Sequence, residues 1–346
     1  MSLHLPFVEL LTLAGLVAAL AFVVSAACAW VFTRVEHPLI PIDRPNHRSL
    51  HTHPVARIGG VAICAGVVLA LLLPPLAGLD LPVATSERAL TTILVTALLL
   101  VAMCFIDDHR SLPVGLRFAT HFGCAGAVLA ALNPAAGWPL WAALVLGIVW
   151  MTNLYNFMDG SDGLAGSITL IGFACLGLAA GSAGAPGMAI ACAAVAGAAA
   201  AFVLFNWSPA RAFMGDTGSI PLGFLASSLG LAGWVQGLWP LFFAPLVFAP
   251  FVADASVTLL RRLARGERIW QAHRSHYYQR LVLMGWGHAT VARLYAAATL
   301  ASGLAALALR EVPPAGQIMG AGLVLAALAL AGYRIDRRWQ AHAPAR

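Results

Sequence analysis

The chain carries one apolar run after another, each close to the length that crosses a bilayer, about 20 residues per helix. On that ruler about eleven spans follow. They run over Leu5–Phe32, Ile58–Leu76, Ala89–Ile106, Phe118–Leu132, Trp138–Thr152 and Leu164–Gly181. The others are Met188–Phe205, Gly218–Val235, Leu238–Leu260, Ala289–Leu309 and Gly316–Ile335. Hydrophobic residues make up 60% and charged residues 10%, against about 25% charged in a soluble domain, so too little charge exists to cover a water-facing surface. The first run is too long for a signal-peptide core and its opening residues hold no Arg, so it reads as a retained helix. The fold class expected is all-α: a polytopic integral membrane protein forming one domain over residues 1–346. No repeat, low-complexity linker or soluble domain interrupts it.

All basic side chains but the histidines are Arg; no Lys occurs, which excludes a catalytic lysine or Schiff base. Arg suits bidentate contact with phosphate. With the N-terminus outside, Arg34, Arg44, Arg48, Arg57, Arg110, Arg117 and Arg211 fall on one side with the cluster from Arg261 to Arg280. The tail Arg334, Arg337 and Arg338 joins them, while the opposite side keeps little beyond Arg88 and Arg310. The positive-inside rule then puts that side, and the C-terminus, in the cytoplasm. The polar loops near 34–57, 107–117, 153–163, 206–217 and 261–288 share this side. The cysteines lie in or beside apolar runs without CxxC spacing and read as packing residues. Pro240, Pro245 and Pro250 recur within one run; they read as a kinked helix or as irregular backbone lining a lipid-accepting groove.

Five aspartates stand out at the ends of these spans: Asp107, Asp108, Asp159, Asp162 and Asp216. A carboxylate near a bilayer persists where it has a partner or a task. Asp107 and Asp108 adjoin at a helix C-terminus, where mutual repulsion and the helix dipole both disfavour them; a metal or catalytic task, or pairing with Arg110 or Arg117, would offset that. In the string from Asn153 through Asn156, Asp159 and Asp162 to Gly166, two Asp-Gly pairs project carboxylates from a tight turn able to meet a metal, a phosphate or a nucleoside. Capping of the following helix accounts for Asp162 but not for the whole set. Asp216, after Asn206 and Arg211, is placed to cap the next span or to give Mg²⁺ a hard oxygen. The first loop gathers Arg48, His51 and Arg57 before Gly59-Gly60, either a lipid-headgroup contact or a ligand cradle. The last holds His273, Arg274 and His276, whose HxxH spacing puts two imidazoles on one helical face. Without an HExxH pattern zinc hydrolysis is poorly supported, and phosphate contact or a solvated basic helix remain.

Together the strings NFMDGSDGLAGS, FMGDTGS and HRSHYYQRL resemble the polyprenyl-phosphate N-acetylhexosamine-1-phosphate transferases of the MraY/WecA type. The resemblance covers nearly the whole chain, and the last string is most similar to the subgroup initiating O-antigen and other envelope polysaccharides. It implies Mg²⁺-dependent transfer of N-acetylhexosamine 1-phosphate from a UDP-sugar to undecaprenyl phosphate, with UMP released. Mn²⁺ is an expected substitute for the metal. Asp107, Asp108, Asp159, Asp162 and Asp216 take the catalytic positions on this resemblance, with Asp216, Asp108 and Asp162 at the metal. Arg48, His51, Arg57, Asn153, Asn156, Asn206, His273, Arg274 and His276 take the substrate-binding ones. The resemblance also implies the bacterial inner membrane, lipid contacts, no nucleic acid, and a homodimer. The peptidoglycan phospho-N-acetylmuramoyl-pentapeptide transferases are the alternative within the family, although they carry a His-His-His string where this chain has HRSHYYQRL. A transporter is a more distant alternative; its carboxylates would sit mid-span, whereas here Asp254 is the chief exception.

Overall fold

A computed structural model of the chain describes residues 6–35, 40–45, 50, 53–79, 81, 88–268, 271 and 273–342. Among these, ten helices are long and apolar enough to cross a membrane. They are α1 (Phe7–Phe32), α2 (Gly59–Leu76), α3 (Arg88–Arg110), α4 (Val114–Leu132), α5 (Trp138–Phe157), α6 (Leu164–Ser182), α7 (Pro186–Asn206), α8 (Asp216–Val235), α12 (His288–Leu309) and α13 (Pro314–His342). The protein is thus an all-α polytopic membrane protein, as its runs of apolar residues require.

The run Leu238–Leu260 is the exception to the span count. It forms a short α9 (Phe243–Val247) and then α10 (Ala249–Ala264), broken at Phe248. Proline lacks the N–H that a continuous helix needs, and Pro240, Pro245 and Pro250 fall before, within and just after the first piece. A seven-residue α11 (Tyr277–Leu283) follows.

Helices α7 and α8 form the centre. Helix α7 packs against α1, α2 and α6, while α8 packs against α3 and α5. Helix α13 has no buried residue and lies at the periphery. In a bilayer, apolar side chains on such a helix face lipid, and close packing between helices relies on small residues. Gly60 shows this most clearly: a Cβ there would collide with the backbone of Thr217 and Gly218. The Gly59-Gly60 pair therefore brings α2 against the start of α8, with Gly60 N–H donating to the Met214 carbonyl at 2.9 Å. The close approach expected of this pair is made to protein backbone.

A three-stranded sheet staples two loops beside that contact. Strand β1 (Ile42–Asp43) pairs antiparallel with β2 (Val55–Arg57), and β2 pairs parallel with β3 (Ala212–Phe213). Residue Arg57 pairs with Phe213, two residues before the turn into α8. Asp107 and Asp108 lie on the last turn of α3, the helix C-terminus expected of them, while Asn153 and Asn156, read as part of a polar loop, lie on the last turns of α5.

Candidate active site

The sheet, the end of α3, the end of α5 and the start of α8 meet at one end of the bundle. Asp216 opens α8 after Gly215, whose φ of 68° suits glycine. Its Oδ1 accepts from Asn156 Nδ2 at 2.8 Å, and the same amide donates to Ser219 Oγ at 3.0 Å. Asp108 Oδ2 accepts from the Thr217 hydroxyl at 2.9 Å. Arg57 approaches Asp108 Oδ1 at 4.0 Å and holds Asp43 at 3.0 Å. Asp159, in the turn after α5, accepts from the Gly215 backbone N–H. Burial pushes the Asp159 carboxyl well above the usual range, and the Asp216 charge pushes the same way against the pull of Arg57. Asp108, Asp159 and Asp216 thus gather with Arg57, Asn156 and Thr217 around one site.

The adjacent aspartates of α3 separate in role. Asp107 Oδ1 accepts from Leu112 N–H at 2.6 Å and Oδ2 from Arg117 at 3.0 Å, which closes the turn into α4. Pairing with Arg117 offsets the repulsion expected of this pair, and Asp108 is left to face α8.

Other expected site residues hold the loops to one another. Asn206, 2% exposed, accepts from Gly163 N–H and donates to the Ala212 carbonyl, both at 2.9 Å. Asp162 Oδ2 accepts from Ala210 N–H at 3.2 Å, so it joins the Asp159 turn to the segment after α7. It makes no cap to α6. Of the three residues expected at the metal, Asp216 and Asp108 lie on the facing ends of α8 and α3, whereas Asp162 Oδ2 is engaged by the segment after α7. Asn153 lies one turn below Asn156 on α5, with its amide on the Val149 carbonyl at 2.7 Å and 3.4 Å from His121 Nδ1. Arg48 and His51 lie outside the described residues.

The histidine loop is built differently from the expected helical face. His276 is the residue before α11 and His273 precedes it outside any helix, yet their rings stand 4.9 Å apart. His273 Nδ1 is 2.9 Å from Ser275 Oγ, and Arg274 Nε is buried without a partner. Asp254, 4% exposed on α10, organises the loop. Its oxygens accept from Tyr277 N–H at 2.8 Å, Tyr278 N–H at 3.0 Å and the Tyr295 hydroxyl, and His276 Nδ1 lies 3.3 Å away. Tyr278 in turn donates to the Phe157 carbonyl at 3.1 Å, and a Cβ on Gly160 would strike its hydroxyl. The loop is thereby docked on the turn that carries Asp159. Asp254 was visible in the sequence as an isolated carboxylate within an apolar run.

Among the described residues no three Asp, Glu, His or Cys side chains form a ready-made metal cage. Mg²⁺ commonly takes one or two carboxylates and completes its shell with water and substrate phosphate. Asp216 and Asp108, oriented by Asn156 and Thr217, offer hard oxygens in that number. The residues present therefore fit the cation.

The family described as glycosyl transferase family 4 matches residues 90–233, from the start of α3 to the end of α8. The chain is 28% identical to a probable undecaprenyl-phosphate N-acetylglucosaminyl 1-phosphate transferase of Bacillus subtilis, over 78% of each chain. It is 27% identical to the undecaprenyl-phosphate alpha-N-acetylglucosaminyl 1-phosphate transferase of Yersinia pestis, over 92% of this chain and 90% of that one. A phospho-N-acetylmuramoyl-pentapeptide-transferase of Symbiobacterium thermophilum is 35% identical, but over 46% of this chain and 47% of its own.

Proposed function

The chain belongs to glycosyl transferase family 4, and on that premise we propose that it moves N-acetylhexosamine 1-phosphate from a UDP-sugar to undecaprenyl phosphate. The observation that carries this reading is the convergence of Asp108, Asp216 and Asn156 from three helices, with Arg57 beside them. Relatives that align along most of the chain bear the name of that transferase. The pentapeptide transferases align over less than half of it, which favours a simple N-acetylhexosamine donor.

In the proposed reaction an oxygen of the lipid phosphate attacks the β-phosphorus of the UDP-sugar. The bond from that phosphorus to the bridging oxygen breaks, and UMP leaves with the electron pair. The lipid phosphate needs little help in losing a proton, since the second pKa of such a group is near 6. The work of the protein is positioning and charge. Arg57 sits where it can meet an anionic substrate while still tethered to Asp43. Asn156 fixes the Asp216 carboxylate, and Thr217 fixes that of Asp108. The Asp254 network holds His273, Arg274 and His276 over the Asp159 turn as donors to the diphosphate. A magnesium ion, held by Asp216 with Asp108 or Asp159, would supply neutralisation of the phosphate charge.

The arginine distribution supports a site facing the cytoplasm from the bacterial inner membrane, and the resemblance extends the reading to a homodimer. Purified protein given undecaprenyl phosphate, Mg²⁺ and a panel of UDP-N-acetylhexosamines should release UMP with at least one donor and none in EDTA. Folded protein that releases no UMP with any donor contradicts the reading.

A further inference from the structure

His121 lies two turns into α4, is 3% exposed, and leaves its buried Nε2 without a partner. Its other nitrogen is accounted for. Asn153 Nδ2 stands 3.4 Å from His121 Nδ1 and offers it a donor, so Nδ1 accepts and Nε2 carries the hydrogen. A buried donor without an acceptor is costly, and such groups in native proteins call for an explanation.

The surroundings indicate what the explanation is. Arg117 precedes His121 by one turn on the same face of α4, and the charges acting on the ring are those of Arg117 and Asp216. Asn153 is three residues before Asn156, the residue that holds Asp216, and three residues advance a helix by about 4.5 Å. His121 therefore lies about one turn deeper in the bundle than the Asp216 carboxylate, toward the middle of the spans formed by α4 and α5. Two neighbours on its own helix offer it no acceptor: the Phe118 ring, with its centroid at 5.8 Å, and Cys124, which donates to the Thr96 carbonyl.

We propose that His121 is an acceptor-binding residue whose Nε2–H, aimed by Asn153, donates to the phosphate of the membrane-borne lipid beside Arg117. This rests on the function proposed above. The two positive or donor groups on α4 receive the lipid phosphate from below, while the soluble substrate meets Arg57 and the histidine loop from the opposite side. The unpaired donor is satisfied on binding, so its cost contributes to recognition.

The test uses full-length protein in nanodiscs with Mg²⁺ and no nucleotide, and measures binding of undecaprenyl phosphate and of undecaprenol, the same chain without the phosphate. Wild-type protein should prefer the phosphate. His121→Leu should lose about tenfold of that preference, the scale of one hydrogen bond to a charged group, while undecaprenol binding stays constant. His121→Gln, which can place an amide N–H near Nε2, should keep most of it. Lipid-free His121→Leu should melt at or above the wild-type temperature, since it removes an unpaired buried donor; a structural histidine would give the reverse. Unchanged phosphate preference, equal loss for both lipids, or a lowered melting temperature overturns the proposal. Wild-type protein that does not distinguish the lipids fails the functional reading itself, and UMP release by wild type reports on that reading separately.

Discussion

The Thr217 hydroxyl donates to Asp108 Oδ2 at 2.9 Å, so the last turn of α3 is bonded to the first turn of α8 across 109 positions of sequence. Thr217 follows Asp216 directly, and Asn156 holds Asp216 from α5. One short segment thus fixes two carboxylates against each other. Removing the hydroxyl with Thr217→Val keeps the shape. The expected result is a fall in kcat of about 10- to 100-fold, the range for a hydrogen bond to a charged group, with little change in melting temperature. Steady-state UMP release beside a thermal melt checks this, and wild-type kcat in the variant would remove Thr217 from the site.

The two adjacent aspartates should behave differently. Asp107→Asn weakens the bonds to Leu112 N–H and Arg117, which should cost about 1–2 kcal/mol of stability while the folded fraction keeps most of its turnover. Asp108→Asn should melt near wild type and lose at least about 100-fold in turnover. The reversed pattern would show that Asp107 is the residue facing substrate.

Asp159 gives a pH dependence of defined sign. Its folded-state pKa is raised above the unfolded value by burial and by Asp216. Its contribution to stability is therefore full below the unfolded pKa, about 4, and is lost as pH rises through the folded value. In EDTA the wild-type melting temperature should fall as pH rises over that window, and Asp159→Asn should flatten the fall. Mg²⁺ should restore more stability to wild type than to the variant. Identical pH profiles for the two proteins would contradict the assignment.

Asp254 should matter for the order of the histidine loop. Asp254→Ala leaves the Tyr277 and Tyr278 amides and the Tyr295 hydroxyl without their acceptor in a buried setting, a loss of about 3 kcal/mol or more. Trypsin should then cut at Arg274 or Arg280 far faster than in wild type, and Tyr295→Phe should show a milder form of the same change. Equal cleavage rates would mean that the loop is held by other contacts.

The helical bundle was legible in the sequence because a bilayer leaves the backbone few choices, and each long apolar run became a helix except the one punctuated by Pro240, Pro245 and Pro250. The sheet was not legible, since strands of two or three residues carry no periodicity to read. The strings that meet at the site were legible as strings, but their spacing could not say which carboxylate points inward. Asp159 and Asp162 are three apart and only Asp159 reaches the Asp216 group, because Asp162 is turned to Ala210. Asp107 and Asp108 adjoin, and the short turn into α4 claims only Asp107. Thr217 was passed over, and Asp254 was noted only as a stray carboxylate, for a common reason: each acts through partners more than 20 positions away, on helices the sequence does not place side by side.

The central claim is that this group of carboxylates serves transfer of a sugar together with its phosphate, and the fate of the β-phosphorus tests it most directly. Purified protein would be given undecaprenyl phosphate, Mg²⁺ and a UDP-N-acetylhexosamine labelled with ³²P at the β-position. The account predicts that the label enters the lipid with the sugar while unlabelled UMP is released, and that Asp216→Asn abolishes both. Label recovered in released UDP, with sugar alone on the lipid, would contradict it.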